Sequence, residues 1–467
     1  MKKAFLTAFL ILSALLMAGA ARVACAPVAS VPGGIYENVD SLTVELEGDG
    51  AQIHYTLDGS APSESSPVYS EPIVLDKTSV IRAICYNSGC APSRISTYNY
   101  ILNEGHTLPV LCLNVDAPSS FMSRYYGGLK GTENAAVLTL YEDGALVFSR
   151  ACGVDLRGGA ALSDAKKSLG VWFRKSYGDG KLRNLDLFGD GKGDFKSLVI
   201  RAGQDYHGSI IRDSLFTELC RQMGDSVPAQ HSKYCILYIN GSYFGIHCLK
   251  EHMNRSYFAE EDDVAKDDVQ IVKASNSNGW IYANEEFNTA MKSKYDYAEF
   301  STRFDIDNLI DYLIIEGYCG NWDLKENIRF YKSPAHDGKW RAYFFDADKA
   351  FYERSHAFRN ILEDGGNAAY PVTGMYTTLL KNEEFASRFT ARYHELLQTV
   401  LSDENVLAEI EKQSELLSPE VERDFERWGL KPSQWQACVD TLRGIIKKDG
   451  EPDYSEYTLT ILRKYLN

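Results

Sequence analysis

No Cys-x-x-Cys pair occurs in this chain, and no Cys/His cluster has zinc-ligand spacing, although ten cysteines and nine histidines are present. A structural zinc site of the finger or ribbon kind is thereby set aside. Neither a Walker loop nor a Gly-x-Gly-x-x-Gly run occurs, so no standard phosphate-cradling signature marks a nucleotide site. Positive charge is in short supply: 49 Lys and Arg face 64 Asp and Glu, for a formal net charge of −15. That balance argues against general binding to nucleic acid or to an anionic membrane. Beyond the first 26 residues no apolar run is long enough to span a bilayer. What is present is a 467-residue chain, 45% hydrophobic and 12% aromatic, enough for two or three globular domains with a large core.

Residues 1–26 read as a secretory signal. Lys2 and Lys3 give the basic start, residues 4–17 the apolar run, and Ala18-Gly19-Ala20 the small residues that precede cleavage. The expected destination is secretion or the cell surface. Arg22-Val23-Ala24 before Cys25 is a poor match to a lipid-attachment signal. Loss of Cys25 leaves nine cysteines, an odd number, so at least one thiol stays free or bonds another chain. Cys85 and Cys90 bracket Tyr-Asn-Ser-Gly, a spacing that lets them close a hairpin disulfide in an oxidising compartment. Cys112, Cys152, Cys235 and Cys248 lie in apolar, strand-like runs and read as buried core thiols.

Residues 31–103 form a small all-β unit, with short alternating runs at 42–46, 52–57, 73–74, 79–86 and 95–101 separated by turn residues. The run Ile53-His54-Tyr55-Thr56-Leu57-Asp58-Gly59-Ser60-Ala61-Pro62-Ser63, followed by Tyr69 and Pro72-Ile73, resembles the Ig-like β-sandwich module at the C-terminus of chitobiases. That resemblance implies a spacer or weak binding unit and no catalysis. Residues 103–108 link it to a larger domain, 108–467.

The larger domain is organised around residues 321–351. An Asn321-Trp322-Asp323-Leu324-Lys325-Glu326-Asn327 run precedes two apolar runs, 328–332 and 340–345, joined by Pro334 and Asp337-Gly338. This reads as a β-hairpin whose second strand ends on Asp346 and Asp348. Two acidic clusters, 23 residues apart, are so brought to one end of a hairpin. Crowded carboxylates repel unless a cation lies between them, and an all-oxygen site suits Mg²⁺. Upstream, Asp305 or Asp307 caps a helix over 308–318 that Gly320 closes. Arg157-Gly158-Gly159 opens a small-residue loop leading to Lys166-Lys167, either a phosphate-approaching loop or a plain turn with solvated lysines. Residues 188–194 look superficially like a calcium loop but lack its alternating acids, and read as a turn. Residues 210–223 have helical period, with Arg212 and Asp213 at the start, where Asp213 suits the helix dipole. Asn240-Gly241 marks a hairpin that delivers Lys250-Glu251-His252. From 377 on, the period is helical.

The loop 321–327 resembles a protein-kinase catalytic loop shortened by one residue, with Asp346 in place of the second metal-binding Asp and Ala347-Asp348 where Phe-Gly would follow. Residues 108 to about 460 resemble the CotH-type (spore-coat) kinase family. The matching pieces occur in the family's order: Leu156-Arg157-Gly158, Lys166-Lys167-Ser168, Phe195 to Arg201, Ile211-Arg212-Asp213, Tyr238 to Gly245, Glu251, Asn321 to Asn327 and Asp346-Ala347-Asp348. Ala165 departs from the pattern, which has Pro before the lysine pair. The resemblance implies an α+β chain: the Ig-like sandwich, then a divergent kinase-like domain with a helical C-terminal lobe. It implies an ATP- and Mg²⁺-dependent protein kinase. In that reading Arg157, Gly158, Gly159 and Lys167 or Lys166 hold phosphate, Glu251 orients the lysine, Asp323 is the catalytic or metal-binding acid, and Asn327, Asp346 and Asp348 hold metal. The expected partners are a protein substrate and cell-surface or polysaccharide-associated proteins. Because the signal sends the chain away from cytoplasmic ATP, the second expectation is a non-catalytic surface binding or assembly module on the same scaffold.

Overall fold

The computed structural model describes residues 22–273, 284–363 and 371–466, so the apolar run at 4–17 lies outside the described residues. The chain forms two compact units. One holds residues up to 124 with 132–154 and 236–244, the other 125–131, 155–235 and 245 onward.

In the first unit, Ser79–Tyr86 pairs with Ser96–Leu102 on one side and Gln52–Thr56 on the other, and Gly34–Tyr36 joins the edge in parallel. Leu42–Val44 and Ile73–Leu75 form a second short sheet. Val44, Ile53, Ile81, Tyr100 and Leu102 meet in one core between them. Pairing starts earlier than the sequence suggested. Ala24 donates to the Ala91 carbonyl at 2.9 Å, Ala91 donates to the Arg22 carbonyl at 2.7 Å, and Val28–Ala29 pairs with Leu46–Glu47. Cys85 is buried in this core with Cys90 packed against it, and both are thiols, not a disulfide. Residues 103–108 do not part the module from the strand Val110–Val115 beyond them. Buried Asn114 donates to Asn99 at 2.8 Å, and Arg82 pairs with Asp116 at 2.8 Å. Val110–Val115, buried at every position, carries Asn134–Glu142 antiparallel on one edge and residues 236–239 parallel on the other. The Asp143-Gly144 and Asn240-Gly241 turns both have positive φ at both residues, the geometry of a tight hairpin.

The second unit is mixed α and β. Ser168–Trp172 pairs antiparallel with Ser197–Arg201, which pairs in turn with residues 248–251 at the end of Ser242–Glu251. The helix Arg212–Gln222 comes next, with Asp213 in its first turn. The expected hairpin is present as Arg329–Lys332 and Trp340–Ala342, with Phe330 opposite Ala342, and Gln270–Lys273 adds a third strand. Its second strand ends at Ala342 rather than running to Asp346. Phe344 instead donates to the Pro228 carbonyl at 2.9 Å, and Asp346 takes a left-handed φ of 68°. Helix Ile306–Cys319 starts as expected, with the Asp305 carboxylate accepting from Asn308 N at 3.2 Å, and ends on left-handed Gly320. From residue 371 on, the described residues form five helices: Pro371–Leu379, Glu383–Leu397, Asp403–Arg427, Pro432–Ile446 and Tyr454–Leu466. Among the described residues no helix is long and apolar enough to cross a membrane.

Candidate active site

Two elements of the second unit deliver three carboxylates to one point. Asp213 comes from the first turn of Arg212–Gln222, and Asp346 and Asp348 from the irregular segment after the hairpin. One oxygen from each lies within 4.8 Å of the other two. The segment is pinned by its backbone: Ala347 N donates to Asp213 at 3.0 Å, and Gln204 N donates to Asp348 at 2.7 Å. A left-handed non-glycine residue such as Asp346 is held only where its surroundings over-determine it, and such residues gather at functional sites.

Two cations enter the cluster. Arg201, the last residue of its strand, places Nη2 2.6 Å from Asp346 and 2.7 Å from Asp348, and Nε 3.0 Å from Asp213. Lys250 also pairs with Asp213. Arg201 and Lys250 outweigh burial at Asp213 and hold its carboxyl below the usual range. At Asp348 burial wins over Arg201, with Asp346 and Asp213 adding to it, and pushes the carboxyl up to about 7.

The loop 321–327 lies along the same segment. Buried Asn321 donates from Nδ2 to the Asp346 carbonyl at 3.1 Å and accepts from Asp323 N at 3.3 Å, and Trp322 N donates to the Lys349 carbonyl at 3.4 Å. Asp323 precedes the short helix Leu324–Asn327, and Asn327 donates back to the Asp323 carbonyl at 3.4 Å. Glu316 lies under this loop. It accepts from Asn321 at 3.5 Å, has one oxygen with no hydrogen-bond partner, and is driven up to about 8 by burial. The folded chain therefore keeps the Glu316 proton where the unfolded chain has lost it. The stability this proton confers is complete below about pH 4.5 and is lost as pH rises through about 8. Glu316→Gln should remain folded and flatten the fall of melting temperature across about pH 5–8, an effect on the order of a few kcal/mol by linkage. An unchanged pH slope in that variant contradicts the assignment.

The expected phosphate side is only partly assembled. Burial, with the charge of Arg201 adding to it, pushes the Arg157 guanidinium down. Gly158 has φ 130° and accepts from Lys130 at 2.7 Å, and Gly159 leads into the turn Ala160–Ser163. Ser168, next to Lys167, accepts from Ala202 N, next to Arg201, at 3.0 Å. Lys167 N donates to the Tyr125 hydroxyl at 2.9 Å, while the Lys167 ammonium donates to the Asp164 carbonyl and lies 5.3 Å from the Tyr125 ring centre. Lys166 is committed elsewhere. Its ammonium meets both oxygens of Asp424, at 2.9 and 3.0 Å, with both side chains fully buried.

Glu251 does not orient Lys167. Its carboxylate accepts from His231 N at 2.7 Å, faces His231 Nδ1 at 2.9 Å and lies 3.5 Å from Lys192 Nζ. Strand alternation is the cause: Lys250 faces Asp213, so Glu251 faces the other way. There it meets Lys192 and Asp190 on the Phe188–Asp194 loop, with His231 Nδ1 3.2 Å from Asp190. The Phe188–Asp194 loop is a turn, with Asp186 accepting from Asp190 N at 3.0 Å and from Gly191 N at 3.2 Å.

Arg201, Asp213 and Lys250 were not foreseen as parts of the site. Their signals were an Arg closing a strand, an acid in a helix's first turn, and the alternation that separates Lys250 from Glu251.

The donor set is all oxygen, three carboxylates against the two cationic side chains Arg201 and Lys250, and oxygen ligands of this kind suit a hard divalent ion such as Mg²⁺. A family model described as CotH kinase protein matches residues 154–451, and one described as Chitobiase/beta-hexosaminidase C-terminal domain matches residues 31–97. The first match covers more than half of the chain, and the chain belongs to the CotH kinase family. No curated protein matches it.

Proposed function

We propose that this chain is an exported, atypical protein kinase that moves the γ-phosphate of ATP to a protein acceptor with the help of Mg²⁺. The observation that carries the reading is the convergence of Asp213, Asp346 and Asp348 within 4.8 Å beside the loop that bears Asp323. Asp346 and Asp348, with Asn327, would hold Mg²⁺, which neutralises phosphate charge when bound. Arg157, Arg201 and Lys167 supply the positive charge for binding the phosphate chain, Lys167 after leaving the Asp164 carbonyl. Asp323 takes the proton of the acceptor hydroxyl. In phosphoryl transfer the protein chiefly positions groups and balances charge, which is what this arrangement offers. The domain is kinase-like in this reading, with the C-terminal helices as its second lobe and the Ig-like module as its spacer.

Export rests on Lys2-Lys3 and the apolar run 4–17. The pairing of Arg22 and Ala24 with Ala91 favours cleavage before Arg22. Sequencing the N-terminus of exported protein should find a start no later than residue 22. A start at residue 26 or 27 contradicts that. The kinase reading is tested by incubating the chain with γ-labelled ATP, Mg²⁺ and a generic acceptor protein. Mg²⁺-dependent label on protein supports it. Absence of both transfer and nucleotide binding leaves the non-catalytic surface module.

A further inference from the structure

We propose that Arg201 is a built-in counter-cation that occupies the carboxylate cluster before a divalent metal does, so that metal loading is a competition with this side chain. The inference rests on the metal-dependent reading above.

The geometry is that of an internal ion substitute. One nitrogen of Arg201 lies 2.6 Å from Asp346 and 2.7 Å from Asp348, and a second lies 3.0 Å from Asp213, so a single guanidinium touches all three carboxylates. One oxygen from each of the same three carboxylates converges within 4.8 Å. A metal and a guanidinium cannot both lie between oxygens so close together. Lys250 pairs only with Asp213 among the three, so it cannot replace Arg201 at Asp346 and Asp348. Access is one-sided: the Asp346 side chain is 27% exposed, against 6% for Asp348 and 7% for Asp213. An incoming ion meets Asp346 first and displaces Arg201 from there inward. Arg201 therefore has two roles that pull apart. It keeps three crowded carboxylates together in the metal-free protein, and it weakens metal binding.

A merely structural arginine would, on removal, weaken metal binding by loosening its ligands. A competitor, on removal, strengthens it. Arg201→Met and Arg201→Lys are made in the full chain, stripped of metal, and titrated with Mn²⁺ while free Mn²⁺ is read by electron paramagnetic resonance. Arg201→Met should bind Mn²⁺ at least about tenfold more tightly than wild type, since a unit charge at ion-pair distance is removed. Its metal-free melting temperature should fall and be restored by Mn²⁺. Arg201→Lys should lie between, because one ammonium cannot bridge two carboxylates as a guanidinium does. If Arg201→Met does not fold, Arg201→Lys decides: tighter than wild type supports the inference, equal or weaker overturns it. If wild type binds Mn²⁺ and Arg201→Met binds it no better, the competition is refuted while the metal reading stands. If neither wild type nor the variants bind Mn²⁺, both are refuted.

Discussion

Asp346→Asn should abolish the stabilisation of the chain by Mg²⁺–ATP, whereas Asp323→Asn should keep most of it and lose phosphate transfer by about 10²–10⁴, the usual effect of removing an acid–base group. The two residues are separated in role by their surroundings. Asp346 belongs to the three-carboxylate cluster and is its most exposed member. Removing its charge turns the carboxylate an entering ion meets first into a neutral, weaker ligand. Asp323 heads the neighbouring loop and is tied to it through its backbone, its N–H held by Asn321 and its carbonyl by Asn327. Asn is the better replacement at position 346, because φ is 68° there and Asn tolerates that conformation, while Ala would add strain of about 1–2 kcal/mol. Thermal shift with and without Mg²⁺–ATP reads binding, and labelled transfer reads turnover. Equal loss of binding in both variants would contradict the division of roles.

Asp424→Leu should cost about 3–5 kcal/mol, since it leaves Lys166 charged, fully buried and alone. For a unit of this size that is a fall in melting temperature on the order of 10 °C. Burial already pulls the Lys166 ammonium down against the opposing effect of Asp424. Asp424 also accepts from Ile246 N at 2.8 Å, and a Cβ on left-handed Gly245 would collide with it. Adding Lys166→Met should recover the part due to the unpaired buried charge but not the part due to the orphaned Ile246 N–H, about 1–3 kcal/mol. A phosphate-binding Lys166 makes the opposite forecast: Lys166→Met alone would weaken nucleotide binding and leave stability nearly untouched. Denaturant unfolding of the single and double variants separates the two.

Local signals read well. The Asp305 cap, the Gly320 stop, the Asn240-Gly241 turn and the 329–342 hairpin each arise from a few adjacent residues. The parts that were not legible depend on partners far away in sequence. Lys166 and Lys167 are adjacent and alike, yet one is spent on Asp424, 258 residues on, and the other stays near the site. Glu251 looked like the partner of a loop lysine and found Lys192, because the fold brings the Phe188–Asp194 loop to its face of the strand. Asp213 read as a dipole match at a helix start. It became a member of the carboxylate cluster only because Asp346 and Asp348 arrive from more than 130 residues downstream. Cys85 and Cys90 have spacing for a bridge, but Cys85 is drawn into the core and both remain thiols.

The most direct test of the account is transfer of γ-labelled phosphate by the wild-type chain and by Asp346→Asn, each in Mg²⁺ and in a chelator. The carboxylate cluster as metal site predicts label on protein only for wild type with Mg²⁺. Equal labelling by Asp346→Asn, or label that persists in the chelator, would contradict it.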